Sequence, residues 1–186
     1  MTKQKTIIAL VGMPGAGKST CAEHLSKKNI PILRFGDQTD IGLKELGLPL
    51  NEKNEQKYRE DIRKELGMAA MAIKIEPRAK KALQASDVVV LDGLYSWDEY
   101  TYLKEKFPNL YLICIYARPY IRYKRLASRK IRPLTLEEAR SRDIAEIENL
   151  KKGGPIAIAD FLLKNNKQTS KLFDKLDDTL QLITKS

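Results

Sequence analysis

The chain has 186 residues, 42% of them hydrophobic and 31% charged, with a formal net charge of +10. That length suits one domain, residues 1–186, with a substantial core, and the composition excludes a disordered chain. No stretch has the length of a membrane span, so no membrane partner is expected, and the positive charge favours anionic partners, either nucleotides or nucleic acid.

Cys21 and Cys114 both lie in apolar surroundings, which reads as reduced core thiols rather than a disulfide, and a cytoplasmic location is the expectation. His24 stands alone on the polar side of its helix, and no metal-ligand cluster is seen. The N-terminal lysine and the apolar run after it imitate a signal peptide, but the run is short and passes directly into a glycine-rich loop.

Ile7–Val11 is short, β-branched and bounded by glycine, and it reads as a buried parallel strand. Gly12, Met13, Pro14, Gly15, Ala16, Gly17, Lys18 and Ser19 then satisfy the phosphate-loop (Walker A) pattern G-x-x-x-x-G-K-[ST], with Thr20 next in the same binding stretch. An amphipathic helix follows, with Cys21, Ala22 and Leu25 inward and Glu23, Lys27 and Lys28 outward. Glycines let backbone N–H groups curl around an anion, and the helix N-terminus adds its positive dipole end. Lys18 can reach the β- and γ-phosphates of ATP, and the Ser19 hydroxyl can ligate Mg²⁺. The plain alternative is a glycine-rich turn between a strand and a helix.

Ile30–Phe35 reads as the second strand, ending in Gly36-Asp37. A polar insertion at about 38–66 follows, broken by Gly42, Gly47 and Pro49, with Asn51 a candidate N-cap for a helix over Glu52–Leu66. Met68–Leu83 has a buried-helix pattern that Pro77 should kink or break. Val88–Asp92 is apolar and reads as a central strand. Ser96 and Glu99 form a capping-box pair that starts a helix through Lys106. Leu110–Ala117 is the fourth strand, and Arg118–Lys130 a basic helix within a lid at about 118–134. Thr135 and Glu138 cap a further helix to about Leu150, ended by Gly153-Gly154-Pro155. Ile156–Leu163 is expected as the last strand, with a C-terminal helix from about Ser170 to Thr184. Strands alternating with helices imply a parallel sheet covered on both faces, with ligands beyond the carboxyl ends of the strands.

Asp92 ends an apolar strand and is a candidate Mg²⁺ carboxylate, the alternative being a turn aspartate before glycine. Asp37, at the end of the second strand, is a candidate base for an attacking hydroxyl, with the same alternative. Arg122, Arg125 and Arg129 share a face at i, i+3, i+7 spacing, which suits a lid that stabilises a transferring phosphoryl group. A nucleic-acid stripe is the rival, with only Tyr120 and Tyr123 as interleaved aromatics, and no specific nucleic acid is expected. Tyr58, Arg59 and Arg63 lie where an acceptor would be gripped, or on a solvated face.

The phosphate loop, Gly36-Asp37, VVVLDG and the arginine-rich helix together resemble the P-loop nucleoside and nucleotide kinases. Arg125 and Arg129 before TLEEARSRD, then Ile158-Ala159-Asp160-Phe161-Leu162-Leu163-Lys164-Asn165, look like dephospho-coenzyme A kinase; its nucleotide-kinase-like relatives match REDIRKELG and GPIAIAD as well. The resemblance implies an α/β three-layer P-loop NTPase sandwich with a five-stranded parallel sheet, a helical substrate-binding insertion and an arginine lid over ATP. By the same likeness Arg142 serves the nucleotide, Asn165 lies near the adenine, and Asp37 activates a hydroxyl. The implied activity is ATP- and Mg²⁺-dependent phosphotransfer to a nucleoside, nucleotide or dephospho-coenzyme A-like small molecule, by a monomer or small homo-oligomer.

The chain also departs from that pattern. Adenylate-kinase-type enzymes carry an arginine three residues after the strand-end aspartate, where this chain has Asp40. They carry another after the D-G pair, where Gly93 is followed here by Leu94-Tyr95-Ser96. Both absences count against a nucleoside monophosphate acceptor and favour a hydroxyl beside Asp37, although Arg34, Arg59 or Arg63 could replace the missing arginines. Arg122 and Glu146 stand where dephospho-coenzyme A kinases have glutamines. A regulatory P-loop NTPase without a small-molecule acceptor is the alternative from another class.

Overall fold

The computed structural model describes residues 4–185. Among these, five parallel strands form one sheet: β1 (Thr6–Val11), β2 (Ile32–Arg34), β3 (Val88–Asp92), β4 (Leu110–Tyr116) and β5 (Phe161–Lys164), in the order β2-β3-β1-β4-β5. The first strand is thus central, which explains why every residue of β1 is buried.

Alternation along β1 builds a core on each face of the sheet. Ile7, Ala9 and Val11 face a layer made by α2 (Asp37–Glu45), α3 (Glu52–Leu66), α4 (Ala70–Ala85) and α5 (Trp97–Lys106). Ile8 and Leu10 face α1 (Lys18–Ser26) and α9 (Thr169–Lys185). Leu25, Leu172 and Leu176 are sealed in that second layer, each worth about 1.5–3 kcal/mol by burial. Cys21 packs in the second layer and Cys114 in the first, so the sheet separates the two free thiols. The chain continues after β4 through α6 (Pro119–Ala127), α7 (Leu136–Glu148) and α8 (Gly153–Ala157) before reaching β5.

Local signals fix the starts of several helices. The Asn51 side chain accepts from Asn54 N–H at 2.9 Å at the head of α3. Complete capping boxes, Ser96–Glu99 and Thr135–Glu138, open α5 and α7.

Four expectations need correction. Ile156–Leu163 is not one strand: Gly153–Ala157 forms α8, and pairing with β4 begins only at Phe161. Pro155 sits in the first turn of α8, where its missing N–H is tolerated, and Gly154 packs so close to the Trp97 ring that a side chain there would collide with it. Pro77 does not break α4, whose buried Met71, Ala72, Ile75 and Ala79 hold the helix to the core through the lost hydrogen bond. The basic helix ends at Ala127 rather than Lys130; Leu134 N–H returns to Leu126 C=O, and Arg132 takes a left-handed φ of +52°. His24 is not solitary, because it stacks on Phe173 with ring centres 4.1 Å apart and pairs with Asp177 at 2.9 Å, tying α1 to α9.

Candidate active site

The phosphate loop leaves β1 at the carboxyl edge of the sheet. Gly12 has φ +136° and Gly17 has φ +107°, conformations that L side chains rarely adopt. A side chain on Gly12 would also collide with the Ile115 carbonyl, and one on Gly17 with the Asn165 amide. Gly17 caps α1 without any side-chain acceptor, so the first amides of that helix stand ready for an anion. Lys18 Nζ donates to the Gly12 carbonyl at 2.7 Å and to that of Met13 at 3.4 Å. Burial, with the Lys152 charge next in weight, pulls the Lys18 pKa down to about 7. An anion in the loop would reverse that penalty, so this loop fits a bound phosphate chain.

Asp92, the last residue of β3, is buried, and burial raises its pKa against the opposing pull of Lys18 and a hydrogen bond from Ser19. A hydroxyl and a carboxylate that line the same cavity fit a Mg²⁺ site that keeps several waters. Among the described residues no group of three His, Cys, Asp or Glu side chains gathers as a separate metal cluster. Arg34 is the register partner of Asp92 on β2, and the charges of Arg34 and Asp37 both reach the Asp92 carboxyl. Asp37 itself opens α2, is 40% exposed, and pairs with Arg78 at 3.6 Å.

A cavity of about 480 Å³ lies over the loop. Pro14, Gly15, Gly17, Lys18, Ser19 and Thr20 form one wall, and Asp92 and Tyr95 a second. Arg125, Arg129, Arg142, Glu146 and Lys152 close it from the C-terminal half of the chain. Five cationic and two carboxylate side chains therefore face one another across the space, a net excess of three positive charges.

The basic helix divides its arginines. Arg125 lies at the cavity, donating to the Asn165 carbonyl at 2.9 Å and to that of Gly15 at 3.4 Å. Arg129 reaches the cavity from the loop beyond α6. Arg122 does not share that face: it is buried in a two-pronged pair with Asp143 and donates to Pro14 C=O at 3.0 Å. It holds the loop from behind. Asn165 lies behind the loop as well, its amide donating to Ala16 C=O at 2.8 Å.

Other sequence candidates lie elsewhere. Tyr58 is buried against Gly42 between α2 and α3, Arg59 pairs with Glu55 at 3.6 Å, and the Arg63 Nε is buried without a hydrogen-bond partner. None of these, nor Arg34, Asp37 or Gly93, lines the cavity over the loop. Gly93, at φ +95°, turns the chain so that the Tyr95 ring passes close to it.

Sequence reasoning missed Tyr95, Glu146 and Lys152. Lys152 is 1% exposed, is paired with Glu146, and lies with its ammonium 4.7 Å from the Tyr95 ring centre. Glu146 also accepts from Arg142 at 3.1 Å. The i, i+4 spacing of Arg142 and Glu146 was the only local signal available.

Comparison with solved structures agrees with this architecture. Shikimate kinase from Bacteroides thetaiotaomicron matches with a TM-score of 0.60 at 16% identity, covering 95% of this chain and 98% of that one. A gluconokinase from Sinorhizobium meliloti 1021 gives 0.59 at 15% identity, covering 98% and 95%. The fold is thus the α/β fold of these kinases, built around a phosphate-loop sequence. A family model described as an AAA domain matches residues 8–146. A UPF0200 protein of Methanocaldococcus jannaschii is 33% identical over 179 residues, spanning 95% of this chain and 90% of that relative. Another from Thermococcus kodakarensis is 34% identical, spanning 86% of this chain and 88% of the relative. The chain belongs to the UPF0200 family and carries the AAA domain that the family model describes. No helix among the described residues is long and apolar enough to cross a membrane.

Proposed function

We propose that the protein is an ATP- and Mg²⁺-dependent small-molecule kinase of the dephospho-coenzyme A kinase and nucleotide kinase type, phosphorylating a hydroxyl. The observation that carries this reading is the convergence on one cavity of Lys18, the strand-end Asp92 and arginines from the far half of the chain. Bound Mg²⁺·ATP would supply the γ-phosphoryl group and part of the charge neutralisation. Lys18 and the amides of Gly15 to Thr20 would hold the β- and γ-phosphates, and Ser19 with Asp92 would hold the metal. Arg125 and Arg129 would stabilise charge on the transferring group, where preorganised cations act most strongly. Asp37, paired with Arg78 and near enough for its charge to act on Asp92, would take the proton of an acceptor hydroxyl that extends beyond the cavity wall.

The test is ADP release by the purified protein with Mg²⁺·ATP and a panel of nucleosides, nucleotides and dephospho-coenzyme A. One class of acceptor should stimulate turnover, and Lys18→Ala should abolish it at a cost of several kcal/mol in transition-state stabilisation. Full activity in that variant would overturn the assignment. Slow hydrolysis that no acceptor stimulates would instead mark a regulatory NTPase.

A further inference from the structure

Resting on the kinase reading above, we propose that Lys152, with Arg142 and Tyr95 beside it, forms an acceptor subsite for an oxyanion. The molecule phosphorylated here carries a carboxylate or phosphate in addition to its reacting hydroxyl.

Lys152 is sealed from solvent yet lies on the cavity wall. A buried ammonium is costly unless its charge is matched, and it has three hydrogens to donate. Here Glu146 is its one carboxylate partner, and that carboxylate also serves Arg142. Two cations thus share one hydrogen-bonded carboxylate at the edge of a cavity, with Glu99 acting on Lys152 only as the weakest of its neighbouring charges. Donor phosphates account for Lys18, Arg125 and Arg129 in the reading above; Arg142, which the family likeness gave to the nucleotide, is tied instead to Glu146 beside Lys152, and the pair is left incompletely matched.

The subsite stands at the transfer end of the cavity. Tyr95 follows the strand that carries Asp92, while Arg125 lines the cavity from the side of the last strand, where it donates to the Asn165 carbonyl. Of the surrounding charges, that of Lys152 acts most strongly on Lys18. An anion seated on Lys152 would therefore place the rest of its molecule beside the phosphate-holding lysine.

The positions are also fixed in advance. Glu99 accepts from Tyr95 N–H at 2.7 Å, and Gly154 beds α8 onto the Trp97 ring two residues beyond Lys152.

Calorimetry at pH 6.5 tests the proposal on protein saturated with Mg²⁺ and a non-hydrolysable ATP analogue. Inorganic phosphate is titrated in one arm and malonate in the other, which tells a phosphate group from a carboxylate. Saturable binding of at least one is expected. Lys152→Met should weaken it tenfold or more. Glu146→Gln should tighten it several-fold, because the internal competitor is gone, and a variant that merely unfolded would not tighten. Absence of saturable binding to the loaded wild type overturns the subsite, as does wild-type anion affinity in Lys152→Met. Weaker analogue binding in Lys152→Met with the probe anion unaffected would make Lys152 a ligand of the donor phosphate and overturn it too. If the analogue itself does not bind wild-type protein, the kinase reading falls first and the subsite with it.

Discussion

Arg122 offers the sharpest energetic test of how the phosphate loop is supported. Its guanidinium lies 2.9 and 2.5 Å from the two Asp143 oxygens and also donates to the Ala117 and Pro14 carbonyls at 3.2 and 3.0 Å. Both side chains are nearly sealed, at 5% and 10% exposure. Arg122→Met removes the guanidinium and leaves Asp143 with the Tyr123 hydroxyl, 2.9 Å away. Leaving a buried charge in that state costs about 3–5 kcal/mol. For a chain of this length the melting temperature should fall by about 10 °C. Urea denaturation of Arg122→Met, Asp143→Leu and the double variant closes the cycle. The double variant should recover to within about 1 kcal/mol of wild type, since an ion pair exchanged for packed apolar groups is often neutral. Single variants costing under about 1 kcal/mol, or a double variant as unstable as the sum of the singles, would refute the reasoning.

Two predictions concern protons. Lys18 has a pKa of about 7 because it is buried, and an anion in the loop raises it, so nucleotide binding above pH 7 takes up a proton. Calorimetry of an ATP analogue at pH 8.5, in buffers of different ionisation enthalpy, should show that uptake, with affinity falling as pH rises; no uptake would count against the buried ammonium. Glu99, 1% exposed, has its pKa pushed up to about 7 by burial, against the backbone donors of Tyr95 and Ser96. A carboxyl raised above its unfolded value contributes stability that is complete below about pH 4.5 and lost as pH climbs through 7. Glu99→Gln keeps an acceptor for both amides, so its unfolding free energy relative to wild type should improve between pH 5 and about 8, and a constant difference across that range would sink the idea.

The legible parts of the sequence were those whose signals are local. The phosphate loop is one backbone device in consecutive residues, and the caps at Asn51, Ser96 and Thr135 act within three positions of themselves. Val88–Asp92 announced an interior place, between β2 and β1, by being apolar up to its final aspartate. Signals that depend on partners elsewhere were lost. Spacing put Arg122 on the same face as Arg125 and Arg129, but Asp143, a whole helix away, draws it inward. Pro77 weakens a helix locally, and the burial of its neighbours decides otherwise. Lys152 gave no hint at all, because a lysine after Asn149-Leu150-Lys151 looks like solvated chain until α8 folds it against Tyr95.

Asn165 carries a consequence for the order in which the molecule becomes competent. It stands just past β5, its backbone N–H donating to Tyr116 C=O at 2.7 Å and its side chain to the Ala16 carbonyl, while its own carbonyl receives Arg125. The loop at residues 12–19 leaves a ribosome well before residue 165, yet these contacts come from the end of β5. A nascent chain that has not reached residue 165 would have its glycine loop on the central strand without the amide that backs Gly17 or the carbonyl that steadies Arg125. On the kinase reading, nucleotide capture would be coupled to completion of the sheet, and a bound nucleotide would in turn hold β5 and α9 in place.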